Sequence, residues 1–184
     1  MSARELDPLR LDVQAFAKDA AELSGHWPLR TFERLAPSTH ADAPPAAGDE
    51  VVWSARGEQR SARGTQAQAW LHLKATTQVR LECQRCLEPV EAPLGIDRWF
   101  RFVAGEDAAA QIDASSEEDV LALPRALNLH DLLEDELLLA LPLVPLHEVC
   151  PLPLETSRDA PDVARDRPNP FAALAALKRS GSVN

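Results

Sequence analysis

One segment of the chain alternates apolar and polar residues over a length that strongly limits how it can fold. Along residues 69–83 the odd positions are apolar or small, whereas the even positions are polar, charged or tryptophan. The odd positions hold Ala69, Leu71, Leu73, Ala75, Thr77, Val79, Leu81 and Cys83. Because successive side chains of a strand point to opposite faces, this period of two predicts a long, half-buried antiparallel strand.

Neighbouring segments predict partners for this strand. Residues 90–103 repeat the alternation less regularly, and Pro93 and Gly95 indicate a bulge or a sheet edge there. Residues 51–56 can pair with the long strand across a turn at residues 57–64, and residues 120–123 predict a fourth strand. The expected fold class is therefore α+β: an antiparallel meander sheet of three to five strands, open or curled towards a barrel, covered by helices.

Helical patterns flank the predicted sheet on both sides. The first fifty residues are interpreted as helix and loop, with a short amphipathic helix from Leu11 that ends at Gly25. A second helix is predicted from Asn128, a favourable N-cap, to Leu141, because Pro142 prevents its continuation. Its broad leucine face is expected to cover the sheet.

Three consecutive acids lie on this second helix. On a helical wheel Glu134 and Asp135 point outward, which makes them candidates for binding a partner protein. Glu136 falls within the apolar face, where an unpaired carboxylate is costly, so an ion pair with Arg98 or Arg101 of the sheet is expected. A structural ion pair is favoured over a catalytic role for Glu136.

The chain is predicted to hold a single α+β domain at residues 1–141, with flexible loops near residues 37–49 and 104–118. A proline-rich tail at residues 142–184 follows and ends in a short helix at residues 170–179. Phe171 and Leu174 line one side of that helix and Lys178 lies at its end, so these residues are further candidates for partner binding. Such a short helix needs a surface to dock on, either in its own domain or on a partner.

The charge is unevenly distributed. The chain has a formal net charge of −10, and residues 102–139 carry ten acids and one base, while residues 51–101 are mildly basic. This balance argues against unaided binding to nucleic acid and favours a basic protein partner. The sequence shows no apolar run long enough to span a membrane and no secretory signal, so we expect a cytoplasmic protein.

The three cysteines are better explained as thiols or metal ligands than as a disulfide framework. Cys83 and Cys86 have the spacing of half a tetrahedral zinc site, and His147 and Cys150 complete a Cys₃His set if the fold brings the tail to the hairpin turn. One zinc ion is the cofactor that this set could hold. The alternatives are unconnected packing residues, or a redox pair formed by Cys83 and Cys86.

A second candidate surface is the polar face of the long strand, which carries Trp70, Lys74 and Arg80. Such a face can stack bases and contact phosphates, or it can be an ordinary solvated surface. The sequence contains no GxGxxG, P-loop, GxSxG or HExxH motif, and the acidic run at residues 106–119 is interpreted as a solvated loop rather than a catalytic cluster. Neither a catalytic residue nor a small-molecule substrate is predicted.

Three blocks taken together resemble the YceD family, the bacterial large-subunit ribosomal RNA accumulation proteins. Residues 81–87 read LECQRCL; residues 134–136 read EDE, ahead of LALP at 139–142 and VPLH at 144–147; residues 167–171 read RPNPF, ahead of Leu174, Leu177 and Lys178. The similarity extends from about Leu6 to Lys178. Residues 39–49 and 106–119 do not share it.

The resemblance implies a non-enzymatic role in the synthesis, processing or accumulation of large-subunit (23S) ribosomal RNA. Combined with the acidic charge, it favours a factor that acts through a basic large-subunit ribosomal protein or a precursor subunit. The alternative is a zinc-dependent RNA-binding module that contacts ribosomal RNA directly through the mildly basic middle segment.

Overall fold

The long alternating segment forms the central strand of a five-stranded sheet. The structure is a computed structural model, and it describes residues 6–61 and 67–151. The helices are α1 (Val13–Lys18), α2 (Glu106–Asp113) and α3 (Leu129–Leu139). The strands are β1 (Glu22–Pro28), β2 (Glu50–Arg60), β3 (Gln68–Glu82), β4 (Pro89–Val103) and β5 (Asp119–Ala122), and two short 3₁₀ turns (Leu29–Thr31 and Ala36–Ser38) follow β1.

The strand order is β1-β2-β3-β4-β5. Strands β1 to β4 form an antiparallel meander, and β5 returns through α2 to pair in parallel with β4. The predicted α+β class is confirmed, and the sheet is open rather than closed into a barrel. None of the described helices is long and apolar enough to cross a membrane.

The core lies on one face of the sheet, beneath α1 and α3. Phe16 of α1 and Leu133 of α3 are fully buried with Leu71 and Phe100 of the sheet. Helix α1 packs closely against β2 at Gly57. A Cβ atom at this position would lie only 2.5 Å from the backbone oxygen of Phe16, so glycine is needed there. The described residues up to Cys150 belong to one compact unit. The predicted terminal helix at residues 170–179 lies outside the described residues.

The predicted extension of the first helix to Gly25 is wrong. The helix ends at Lys18, the chain reverses at Ala20 with a positive φ of 47°, and Glu22–Pro28 then form strand β1. Residues 20–23 favour helix locally, but the edge of β2 offers a full ladder of backbone hydrogen bonds to the strand conformation. Tertiary pairing therefore overrides a weak local preference.

The flexible loop predicted near residues 104–118 is corrected in part, because Glu106–Asp113 form helix α2. Glu106 and Asp107 occupy its first turn, where negative charge is favourable. Ala109 and Ile112 pack with Val103 and Val120 on the side of the sheet opposite the core. This apolar packing stabilises a helix that the acidic composition of the segment concealed.

Helix α3 confirms some of its predicted details and corrects others. Asn128 is the N-cap, and its side chain accepts hydrogen bonds from the N–H groups of His130 and Asp131. Glu136 is buried and pairs with Arg98 at 3.1 Å, as expected. The outward orientation expected for Glu134 is wrong, because its side chain is only 6% exposed.

Candidate metal centre

The turn between β3 and β4 is a tight knuckle that carries the first two cysteines. The last ladder pair of the hairpin joins Glu82 to Pro89. Beyond it the N–H of Cys83 donates to the carbonyl of Glu88 (3.0 Å), and the N–H of Leu87 donates to the carbonyl of Cys83 (2.8 Å). These two bonds fold the intervening residues so that the half-buried Cys86 lies beside the fully buried Cys83.

The segment after α3 lies against this knuckle. Pro142 and Pro145 prevent the helix from continuing, and the backbone N–H of Gln84 donates to the carbonyl of Pro145 at 2.9 Å. Two residues further on, the N–H of His147 donates to the Cys83 sulfur at 3.5 Å. The chain thus returns to the hairpin turn through backbone contacts that do not depend on a metal.

The predicted Cys₃His set is brought together in space. The donor atoms of Cys83, Cys86, His147 and Cys150 all lie within 4.8 Å of one another. In a tetrahedral zinc site with bonds of roughly 2.3 Å to sulfur, neighbouring sulfurs are about 3.8 Å apart, so a small contraction would seat the ion. The described residues therefore contain a group that could hold a metal ion.

The imidazole of His147 is oriented as a metal-ligating histidine normally is. Its Nε2 atom lies 3.0 Å from the carbonyl oxygen of Pro89, which can only accept a hydrogen bond, so Nε2 carries the proton. The lone pair is then on Nδ1, which lies 3.4 Å from the Cys86 sulfur. A backbone carbonyl that fixes the tautomer in this way is the usual outer support of a histidine ligand.

The electrostatics favour a thiolate at Cys83. Burial raises the pKa of this thiol, but N–H groups of Cys86, His147 and Arg85 that point at the sulfur outweigh burial and lower the pKa to about 5. The pKa of Cys86 is raised by burial and by the sulfurs of Cys83 and Cys150. Part of this rise in the pKa of Cys86 reflects repulsion between negatively charged sulfurs. A metal cation among the three sulfurs would offset that repulsion and allow each coordinating thiol to lose its proton.

Sequence reasoning missed a buried histidine that supports the knuckle. His40 accepts a hydrogen bond from the N–H of Asp42 at Nδ1 (3.1 Å), and its Nε2 therefore donates to the carbonyl of Leu87 (2.9 Å). The N–H of His40 also donates to the carbonyl of Arg80. No spacing motif links His40 to the cysteines, so only the fold reveals this contact.

The predicted partner-binding acids of α3 are largely occupied within the chain. The N–H groups of Arg34 and Leu35 donate to Oε1 of Glu134 at 2.7 and 3.1 Å, and the Arg34 guanidinium pairs with both Glu134 and Asp135. Glu134 is thus an internal anchor, whereas Asp135 remains half exposed. The other candidates, Phe171, Leu174 and Lys178, lie outside the described residues.

On the candidate RNA-binding face of the sheet, most aromatic and basic side chains already contact other side chains of the same protein. Trp70 is buried, and the guanidinium of Arg60 lies over both its ring and that of Trp99, 4.3 and 4.1 Å from the two ring centroids. His72 stacks on Trp99 with 4.2 Å between the ring centroids, so Arg60 and His72 both pack against this indole. Lys74 and Arg80 form ion pairs with Asp97 and Asp49, respectively.

Comparisons with known proteins agree on one family. The model of the family described as large ribosomal RNA subunit accumulation protein YceD matches residues 71–178, a range that includes all four donors of the candidate metal centre. The chain is similar to a protein of that name from Haemophilus influenzae, with 37% identity over 110 residues, which cover 58% of this chain and 63% of the relative. No solved structure matches the chain. Because the family model covers more than half of its length, the chain belongs to the YceD family.

Proposed function

We propose that the protein is a non-enzymatic factor needed for the accumulation of large-subunit (23S) ribosomal RNA in the cytoplasm. The observation that carries this proposal is the family match, which extends across the hairpin knuckle and the segment that returns to it. Catalysis finds no support in the two buried carboxylates of the described residues. Glu134 and Glu136 each have an arginine partner, so neither is held ready for proton transfer.

We further propose that Cys83, Cys86, His147 and Cys150 hold one zinc ion with a structural role. Four protein ligands would close the coordination sphere and leave no position for water or substrate, which is the pattern of structural rather than catalytic zinc. The ion would supply a cross-link between the β3–β4 turn and the segment after α3. That cross-link would fix where the chain leaves the sheet and thus where residues beyond Cys150 begin.

The proposed partner is a basic large-subunit ribosomal protein or a precursor subunit that carries one. Support comes from the acids of α2 and of the turn that follows it. Glu106, Asp107, Glu117 and Glu118 are exposed, and none forms an ion pair within residues 6–61 and 67–151. Together with Asp135 and the segment around Phe171, Leu174 and Lys178, they are the proposed contact residues. Glu134 is left out because Arg34 and Leu35 already satisfy it.

Direct binding to ribosomal RNA through the sheet is less well supported. Base stacking needs an exposed ring face, and in the described residues Trp70 is buried while Arg60 and His72 already stack on Trp99. Lys74 and Arg80 are already neutralised by neighbouring carboxylates. This surface contributes to the proposal only if a partner displaces Arg60 from the indoles.

The test uses the full chain, loaded with zinc and immobilised at low salt, to capture precursor large subunits and ribosomal proteins from a lysate of the source cells. We expect a basic large-subunit protein to be retained, and the pair Glu106→Lys and Glu117→Lys to reduce retention at least about tenfold, because surface charge controls such encounters. The control pair Asp19→Lys and Glu33→Lys makes the same charge change elsewhere. Equal loss with both pairs, or no ribosomal protein retained, would contradict the proposed partner.

The proposed role itself is tested in cells by deleting the chromosomal gene for this protein. We expect the ratio of 23S to 16S ribosomal RNA to fall and to recover with the wild-type chain. An unchanged ratio would remove the support for a role in large-subunit RNA accumulation, whatever the pull-down shows.

A further inference from the structure

Strand β1 is an edge strand with one neighbour, and its hydrogen-bonding pattern shows which of its residues face away from the sheet. The N–H of Gly57 donates to the carbonyl of Ala21 (2.9 Å), and the N–H of Leu29 donates to the carbonyl of Asp49 (2.8 Å). Both bonds fit the register that pairs Glu22 with Arg56. In an antiparallel pair such residues alternate with residues whose N–H and C=O groups point the other way. The odd positions of β1 therefore bond to β2, and the even positions face outward.

The outward-facing backbone groups belong to Glu22, Ser24 and His26. All three residues are exposed, and no other backbone or side-chain group of residues 6–61 and 67–151 bonds to their N–H or C=O groups. The open stretch is bounded by Ala20, where φ is +47°, and by Pro28, which lacks an N–H. An unpaired edge of this kind is a template for one more strand.

We propose that a second copy of this chain pairs with that edge, β1 against β1 in antiparallel orientation, with Ser24 opposite Ser24 on the two-fold axis. This register alone opposes all three open residues with one another and keeps Pro28 out of the ladder. Each opposed pair exchanges two backbone hydrogen bonds. Sliding the strands by two residues leaves one open residue of each copy without a partner.

The side chains of β1 are self-complementary in this register. On the outer face Glu22 lies opposite His26 of the second copy, twice by symmetry, and these side chains are 71% and 67% exposed. Their contacts within the chain are long, at 3.6 Å from Glu22 to Arg56 and 3.9 Å from His26 to Glu50, so both are free to turn. An imidazole N–H directly across from a carboxylate can donate a hydrogen bond to it, and such cross-strand pairs stabilise a sheet.

The face towards the core is complementary in size. There Leu23 lies opposite Gly25 of the second copy, and Trp27 lies opposite Ala21, so each large side chain meets a small one. Leu23, Trp27 and Ala21 are partly buried at the rim of the core, and an added strand would cover them further. Extended segments of other proteins could use the same backbone groups, but this match of side-chain sizes and of hydrogen-bonding groups favours a second copy.

The other edge of the sheet does not offer the same opportunity. Strand β5 has four residues, and the side chain of Asp113 already accepts the N–H of Val120. The proposed contact therefore closes as a two-fold dimer and does not extend into a filament.

The full chain is tested by sedimentation velocity and by residue-resolved amide hydrogen exchange between about 1 and 500 µM. We expect a reversible monomer–dimer equilibrium. As the dimer forms, the amides of Glu22, Ser24 and His26 should become protected, whereas those of Leu23 and Gly25 are protected already. A monomer at every concentration, or even-numbered amides protected to the same degree in the monomer, overturns the proposal. The second result would mean that another part of the chain covers the edge.

Variants locate the contact. Ser24→Pro removes an outward N–H and is expected to weaken dimerisation at least about tenfold, whereas Ser24→Ala keeps that N–H and should leave it unchanged. His26→Glu opposes two like charges in the dimer and should weaken it by a similar factor. Adding Glu22→Lys should restore most of the affinity. If Ser24→Pro does not fold, His26→Glu and its rescue decide the question, and a dimer insensitive to them overturns the proposal.

Discussion

The Sγ atom of Cys86 lies 3.4 Å from Nδ1 of His147, although 61 positions separate the two residues along the chain. Strand β4, helix α2, strand β5 and helix α3 all lie between them. The contact exists because the hairpin turn and the segment after α3 meet at the same end of the sheet. A metal bound there would cross-link a long loop, which is where a cross-link reduces the entropy of the unfolded chain most.

The first prediction concerns metal content. We expect protein purified without a histidine tag to contain one equivalent of zinc by elemental analysis, and Cys83→Ser and Cys150→Ser each to lose it. A chelator should lower the melting temperature of the wild type, because metal binding free energy adds to folding free energy. Ser54→Ala is the control and should keep its zinc, because Ser54 lies on β2 opposite Lys74, nine positions before Cys83. If the wild-type protein contained no zinc, the proposed metal site would be contradicted, and the cysteines would be ordinary packing residues.

The second prediction separates the two buried glutamates of α3. Burial alone would raise the pKa of Glu134, but hydrogen bonds from Arg34 and Leu35 hold it below the ordinary 4.5. A carboxyl with a lowered folded-state pKa stabilises the fold fully above its unfolded pKa, and this contribution is lost as the pH falls through the lower folded value. Glu134→Gln should therefore destabilise the protein by about 2 kcal/mol at pH 7, and the difference should shrink below about pH 4.

Glu136→Gln is the matched comparison, two positions along the same helix. Burial raises the pKa of Glu136, and Arg98 offsets this only in part. Because the folded-state pKa of Glu136 is raised, ionisation of this carboxyl lowers the free energy of unfolding as the pH rises above 4.5. The Gln variant removes this loss, but it also removes the ion pair with Arg98. We expect a change below about 1 kcal/mol at pH 7. Urea denaturation of both variants at about pH 7 and pH 3 checks this, and equal losses at both pH values would contradict the assigned roles.

The third prediction concerns backbone strain in the knuckle. Leu87 has a φ of +63°, and a side chain in the left-handed region costs about 1–2 kcal/mol. Its side chain is 63% exposed, so little packing is lost on its removal. Leu87→Gly should stabilise the protein by about 0.5–1 kcal/mol, after allowing for the greater entropy of glycine in the unfolded chain.

Leu87→Ala is the control for this strain, because it shortens the side chain but keeps the Cβ atom. It should give no stabilisation in the same urea titration. A gain as large as that of glycine would show that the exposed leucine side chain, rather than the positive φ, is unfavourable.

The fourth prediction compares two strand glycines. A Cβ atom at Gly57 would lie 2.5 Å from the backbone oxygen of Phe16, whereas one at Gly95 would have no heavy atom within 4 Å. Gly57→Ala should force α1 away from β2 and cost about 2 kcal/mol or more, and Gly95→Ala should be neutral or slightly stabilising. Melting temperatures of the two variants test this. Similar values would mean that α1 adjusts at no cost.

Much of the sheet and the four donors of the candidate metal centre could be predicted from the sequence. The alternation at residues 69–83 predicted β3 because the polarity of each residue indicates which face of the strand it occupies, without reference to distant segments. The donor set was predictable because the chain has three cysteines and a histidine three positions before the last one. Strand β1 and helix α2 were missed, because their stability comes from β2 and from Val103 and Val120 rather than from their own residues.

The sequence by itself determined the alternating strands, the capped helix at Asn128 and the chemical identity of four possible metal donors. Only the tertiary structure decided that Glu134 turns inward to Arg34, that His40 supports the carbonyl of Leu87, and that residues 6–61 and 67–151 leave the edge of β1 unpaired. The physical reason is the range of the interactions. Periodicity and capping act within a few residues, whereas ion pairs, outer supports and sheet edges depend on which distant segments the folded chain places side by side.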